Sequence, residues 1–404
     1  MLRLVRSLLF ITPAAAVILT FLAPPAGHAL PLFARKYEMP CTQCHLAFPR
    51  LNAFGMQFRQ NGYRVGDEKG QSPWESKEFP LSLVGNVGIQ YLRGEEADTS
   101  ATGGGRRGHS STSQFVQNAV EFHTAGTLGP NVTFHFDNGF AGPGGALSSG
   151  MAFLQFDDVA KEGALNVKAG IYDAEIPYLS DSRKTTLNGY INPITLDGRG
   201  LELNGTKSGW TYAAGLINSE RTTGKAGATS LNNLENGYAW LMRDLSGQLV
   251  TARVLSDRQD PRVADKSASQ HLLAQVSAYL NQARWALIPA YNFESFADEP
   301  NTSGVGAGTL ALHGGLLEAL YFLDSNNRWL VTGRYEIRHV GTSKVSARKG
   351  DDTQTVLNLS CFVNPNAKVC LDWTHATFRM HNSFEDNPTE PVSDEIQLYA
   401  HVGY

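Results

Sequence analysis

Cysteine is scarce in this 404-residue chain. There are four, in two close pairs: Cys41 with Cys44, and Cys361 with Cys370. So few exclude a disulfide-dense secreted scaffold. A zinc site at the first pair would need about two further Cys or His ligands nearby, and the other cysteines stand at the far end of the chain. A thioredoxin-like motif would need a βαβ setting, which is missing. Positive charge is not in excess either: 34 Lys and Arg face 38 Asp and Glu, for a formal charge of −4. With no basic surplus to neutralise phosphates, nucleic acid is not a partner. Long apolar runs are also missing beyond residue 29, where nothing approaches the ~20 residues of a membrane-spanning helix. A membrane location for the mature chain would therefore require a β-barrel.

Residues 1–29 read as a secretory signal peptide. Arg3 and Arg6 form a positive start, residues 8–23 are apolar and broken by Pro13, and Pro24-Pro25 ends the run. Gly27 and Ala29 place small residues where signal peptidase reads, so cleavage is expected after Ala29. Removing Arg3 and Arg6 with the leader takes the formal charge from −4 to −6. No cysteine directly follows the cleavage point, where Leu30 stands, which argues against a lipoprotein, and the mature protein is read as exported.

The first cysteine pair belongs to Cys41-Thr42-Gln43-Cys44-His45. Cys-x-x-Cys-His is the attachment signature of a c-type haem: both thiols form thioethers to the vinyl groups, and the adjacent histidine becomes the proximal iron ligand. After it, residues 49–60 read as a helix that starts with Pro49 in its first turn, places Leu51, Phe54 and Phe58 on one stripe, and stops at Gly62. The candidates for the second axial position are Met56 on that helix and His123 or His135 farther along; Met39 just precedes the motif. Methionine there would raise the reduction potential relative to a second histidine.

From residue 81 the pattern has period two. Leu81, Leu83, Val87, Ile89 and Tyr91 share one face of the first such stretch. Val132, Phe134 and Phe136 alternate with Thr133, His135 and Asp137, and Trp329, Val331, Tyr335 and Ile337 alternate with Thr332, Arg334, Glu336 and Arg338. About sixteen such segments are expected, joined alternately by short connections (128–130, 205–209, 281–282, 325–327, 364–367) and long ones (94–113, 173–198, 218–236, 296–308, 379–393). A soluble sandwich also alternates along its strands but has no reason to segregate loop lengths this way. Short turns at one end, long loops at the other and a polar interior make the pattern of an outer-membrane barrel. The last segment alternates too and ends on the aromatic Tyr404. Long loops face outward in such barrels, so the haem segment enters from the periplasmic side. The expected architecture is all-β: a transmembrane antiparallel barrel of about 16 strands over 81–404, preceded by a short, mainly α haem segment over 30–80. A barrel of that size has a lumen wide enough to contain something, and the haem segment is expected to plug it. His123 and His135 fall on the inward face, and a turn at 128–130 would set them side by side near the periplasmic rim.

The second cysteine pair brackets a hairpin. If Pro365-Asn366 is a two-residue loop, Asn364 faces Ala367, and counting back sets Cys361 opposite Cys370. A non-hydrogen-bonded pair brings Cα atoms to about 4.5 Å, within disulfide range, so a structural disulfide is expected.

Three stretches, Leu30-Pro31-Leu32-Phe33-Ala34-Arg35-Lys36-Tyr37, Met39-Pro40-Cys41-Thr42-Gln43-Cys44-His45 and Phe48-Pro49-Arg50-Leu51-Asn52-Ala53-Phe54-Gly55, followed by Asn61-Gly62-Tyr63, resemble the front end of the fused monohaem cytochrome–porin family. The close match spans residues 30–63. The resemblance implies one covalent haem c held by Cys41, Cys44 and His45, an outer-membrane barrel in contact with lipid, and electron transport. Extracellular Fe(II) would be the donor and a periplasmic c-type cytochrome or another soluble carrier the acceptor, which amounts to an Fe(II):cytochrome c oxidoreductase. Two other classes compete: a haem peroxidase-like enzyme built on a barrel, and a solute porin with a haem plug.

Overall fold

The computed structural model describes residues 32–66, 70, 72, 80–97, 107–139, 148–160, 163–192, 197–219, 236–259, 269–300, 307–343, 351–364, 366–378 and 392–403. The leader, 1–29, lies outside them. Sixteen antiparallel strands form one closed barrel, from the first strand, Leu81–Ala97, to the last, Val392–Gly403. Closure pairs these two directly, with Val84 opposite Gly403 and Glu95 opposite Val392. Every strand therefore has two neighbours, and no edge is left to pair with another chain.

Alternation along each strand separates two environments. Leu201, Leu203, Leu317, Leu357 and Leu371 are exposed outward, while Glu202, Asn204, Glu318, Asn358 and Asp372, one residue along, are buried inside. A soluble protein would bury the leucines. Here the apolar side chains form the outer belt, a surface suited to hydrocarbon. Trp210, Trp285, Tyr321 and Trp329 stand exposed beside the short turns, where an aromatic girdle meets the interface of a bilayer.

Short and long connections alternate around most of the barrel, the exception being 301–306 and 323–328, which are equal at six residues each. The short ones turn tightly: Asn131, Ser208, Ser246 and Asn327 all have positive φ, between 51° and 61°. The long connection after the fifth strand, Leu165–Asp173, differs from the expectation that long loops face outward. Its residues 174–192 fold back into the lumen. Tyr178 bonds Ser277, Thr185 bonds Thr332, the Leu187 N–H donates to Asp372 and Asn192 bonds Glu336, all on the inner wall. Ile176, Tyr178 and Leu179 are wholly buried there.

The N-terminal segment stands on this inner loop. Arg50 is paired with Glu318 of the wall and donates to the Tyr178 carbonyl of the loop. Arg59 reaches Glu175 at 3.0 Å. Farther along, Arg64 pairs with Asp158 at 2.8 Å, beside a short turn. Polar inward side chains of the barrel thus find partners on enclosed chain rather than in open water.

Candidate functional site

Helix α1, Leu32–Tyr37, is followed by a single 3₁₀ turn at Cys41–Gln43. The Gln43 N–H donates to the Pro40 carbonyl at 2.9 Å and the Cys44 N–H to that of Cys41 at 3.2 Å. One turn of chain therefore separates the two thiols, and both are half-buried. Burial raises the Cys41 thiol, and burial together with the neighbouring Cys41 pushes Cys44 up to about 11. Redox-active cysteine pairs are activated the opposite way, as low-pKa thiolates. Directly after, His45–Ala47 pairs with Arg50–Leu51. That reversal brings the Pro49 carbonyl to 3.1 Å from His45 Nδ1. A carbonyl only accepts, so Nδ1 carries the proton and Nε2 keeps its lone pair for a metal. Burial holds the ring neutral, with a pKa lowered to about 4.

Helix α2 runs Ala53–Gln60 and begins later than the sequence suggests. Asn52, not the region of Pro49, caps it: the Asn52 side chain accepts from the Gly55 N–H at 2.9 Å and donates to the Thr42 and Gln43 carbonyls. The Asn52 N–H also donates to the Cys44 carbonyl at 2.9 Å. The cap and the Cys-x-x-Cys turn are therefore one unit. Gly55 lets the helix press on that turn, since an added Cβ would come within 2.1 Å of the Cys44 carbonyl oxygen. At the other end Gly62 has φ +66°, its N–H donates to Arg59 and the Tyr63 N–H reaches back to Phe58. This is the Schellman arrangement that ends a helix on glycine, so the expected stop is in place.

A cavity of about 490 Å³ opens against this unit, within the size range of cofactor pockets. Cys41, Cys44 and His45 line one side, with Phe33, Phe48 and Phe58 adding apolar surface. The barrel supplies His123, His135, Asp137 and His401 to its wall. Cys41 Sγ approaches Asn366 of the wall at 3.2 Å, and Tyr63 bonds His135 at 2.8 Å.

The sequence offers three candidates for the second ligand position. Met56 is 2% exposed, packs in the core with Ala47 and Leu51, and does not line the cavity. Leu51 and Phe58, of the same expected helix, do line it. His123 and His135 do line the cavity and lie close, with ring centroids 6.5 Å apart. The register sets Asp137 opposite His123 and Ala125 opposite His135, and both rings turn a nitrogen toward Asp137. His401, on the last strand, was missed. Its Nε2 is buried with no hydrogen-bond partner among the described residues, and its ring stands 4.9 Å from Phe48. The inward parity of Gln397, Tyr399 and His401 in the final segment was the signal that could have found it.

The expected disulfide does not form. Asn364 does pair with Ala367, but the register shifts between Phe362 and Asn364, leaving Val363 as an extra residue. Cys370 then lies opposite Ser360, and Cys361 opposite Val369. One step of slip moves a side chain to the other face. Cys370 points inward and sits 3.2 Å from Ser360 Oγ, whereas Cys361 falls on the outward parity of Leu357 and Leu359. Both are free thiols.

No family model matches the chain, and no curated protein matches it in sequence. Solved structures do resemble it. The outer membrane channel DcaP of Acinetobacter baumannii superposes with a TM-score of 0.61 at 12% identity, covering 80% of this chain and 97% of that one. An anion-selective porin from Comamonas acidovorans gives 0.52 at 11% identity, over 80% and 98%. OmpT of Vibrio cholerae, in a form lacking loop L8, gives 0.51 at 9%, over 80% and 99%. At these identities the likeness is one of fold: this chain is built as an outer-membrane porin barrel.

Proposed function

We propose that the protein is an outer-membrane electron conduit, carrying electrons from an extracellular donor to a soluble carrier in the periplasm. The observation that carries this reading is the Cys41–His45 unit, with Pro49 engaging His45 Nδ1 and a cavity of about 490 Å³ beside it. These residues fit a c-type haem. Cys41 and Cys44 would hold it covalently and His45 would take its iron. His401 of the wall also lines the cavity, and its Nε2 has no partner among the described residues while His123 and His135 are engaged with Asp137, so it would be the wall imidazole available to such a group. Bound there, the haem supplies reversible one-electron transfer. Phe33, Phe48 and Phe58 keep water from that surface, and Arg50 and Arg59 fix the unit against the wall and inner loop. The outer apolar belt supports a barrel seated in lipid, and the short-turn end that receives the segment would be the periplasmic end, as short turns are in such barrels. Fe(II) is the donor implied by the family resemblance, and a periplasmic c-type cytochrome the implied acceptor.

The fold likeness to porins favours a second reading, solute passage. Residues 174–192 and the N-terminal segment oppose it, because they occupy the lumen with buried side chains. Protein produced with haem-attachment machinery should keep one haem per chain through denaturing electrophoresis, and Cys41→Ser should weaken that link. Anaerobic Fe(II) should reduce the haem, and planar bilayers should show little conductance. A chain without covalent haem but with large, steady conductance would reverse the order of the two readings.

A further inference from the structure

The pair His123 and His135 raises a question separate from haem. Each turns one ring nitrogen toward the same oxygen of Asp137. His135 Nε2 lies 3.3 Å from Oδ2, and His123 Nδ1 lies 3.7 Å from it. The three ligand atoms all fall within 4.8 Å of one another. Two ligands each about 2 Å from a tetrahedral ion stand roughly 3.3 Å apart, close to the two His–Asp separations, and with all three atoms within 4.8 Å a small inward turn of the side chains would close the set on an ion. The His135–Asp137 contact is a long hydrogen bond, against about 2.8 Å for a close charge-assisted one.

The remaining polar atom of each residue is already engaged, as in a metal site whose ligands are oriented from behind. Tyr63 Oη holds His135 Nδ1 at 2.8 Å, Glu121 Oε2 holds His123 Nε2 at 3.1 Å, and the Met151 N–H donates to Asp137 Oδ1. All three ligands come from adjacent strands, Arg107–Gly129 and Val132–Gly139, whose paired backbone fixes their spacing. The side of the triad away from the wall opens on the cavity.

We infer that His123, His135 and Asp137 form a binding site for a divalent first-row transition-metal ion, with an open coordination position facing the cavity. Two imidazoles and one carboxylate select this class of ion over calcium or magnesium, which prefer all-oxygen sites. Tyr63 makes the site a junction, because the same hydroxyl belongs to the N-terminal segment. A bound ion would stiffen the ring that Tyr63 holds.

The test is equilibrium dialysis of the untagged full-length protein in detergent against Zn²⁺, with bound metal counted by mass spectrometry. Wild type should bind one zinc per chain at this site. Asp137→Asn and His123→Ala should each weaken it more than tenfold, and Tyr63→Phe about tenfold. His271→Ala should bind as wild type: that imidazole also lies between two carboxylates, but Asp257 and Glu294 engage different nitrogens and share no point. Heat-dependent gel mobility identifies variants that still fold as barrels. Wild type without bound zinc, or folded Asp137→Asn with undiminished affinity, would overturn the site. Zinc stoichiometry is read without haem, so failure of the electron-conduit reading leaves this result standing.

Discussion

In the barrel wall, backbone groups pair with neighbouring strands from Val84–Gly403 round to Val392–Glu95, and side chains need only alternate. In the enclosed segment, residues 32–66 have one short helix of eight residues, one of six, and a two-stranded turn. That segment is held by particular contacts: Asn52 on the Cys-x-x-Cys turn, Arg50 on Glu318, Tyr63 on His135. The difference matters for how each fails. A lipid-facing wall residue can change with little effect if its polarity suits its face. A plug residue often has no substitute, because the segment is too short to bury a core of its own.

Arg50→Ala should have the largest structural effect. Arg50 is 1% exposed and its partner Glu318 is wholly buried. Breaking a buried ion pair by removing one partner costs about 3–5 kcal/mol, since a charge is left behind. Glu318 keeps the Tyr190 hydroxyl at 3.2 Å and Arg334 at 3.9 Å, so the lower end of that range applies. The loss should fall on the plug and not on the wall. Trypsin should then cut within the segment, and bilayer conductance should rise, while the barrel keeps its heat-dependent gel mobility. If the barrel unfolds together with the segment, the two regions are one cooperative unit and the contrast is broken.

Gly55→Ala should act next, by a steric route. The new Cβ would meet the Cys44 carbonyl at 2.1 Å, and backbone cannot retreat like a flexible side chain. Overpacking of this kind costs roughly 1–3 kcal/mol. Faster hydrogen exchange at the Asn52 and Met56 amides, with unchanged exchange in the strands, is the expected result. Equal protection in both proteins would show that the helix does not rest on the motif.

How much of this was legible in the sequence differs between the two regions in the same way. Leu201 to Asn204 and Leu357 to Ser360 reveal the wall because alternation is local, and lipid inverts its polarity in a recognisable sense. The motif Cys41 to His45 stands out in the sequence because the proposed haem attachment would require that spacing. The inner loop was hidden: residues 174–192 have the length of an outer loop, and only Ile176, Tyr178 and Leu179 hint at burial. The start of α2 was misplaced because Pro49 is compatible with a first turn, while Asn52 has a better use, capping the helix and tying it to Thr42 and Gln43. Asp137 was placed on the inward face correctly, yet its role between two histidines depends on cross-strand register, which alternation alone does not supply.

The second cysteine pair sharpens the contrast at its smallest scale. Cys361 and Cys370 were matched by counting from a correctly placed turn, and the count failed by one residue at Val363. A bulge adds a residue to one strand only, and one residue is enough to send two thiols to opposite sides of the wall. Cys361→Ser and Cys370→Ser should therefore change stability little, within about 0.5 kcal/mol for the outward position. Ser360 Oγ, 3.2 Å from Cys370 Sγ, can accept from the hydroxyl that replaces the inner thiol. Alkylation of unreduced, denatured protein followed by mass spectrometry should find both thiols modified. Finding them joined would mean that the hairpin keeps the unbulged register, with Cys361 opposite Cys370. The wall would then have been fixed by a covalent bond, like a haem-bearing plug, and the distinction between the two regions would rest on the buried contacts of Arg50 and Tyr63 alone.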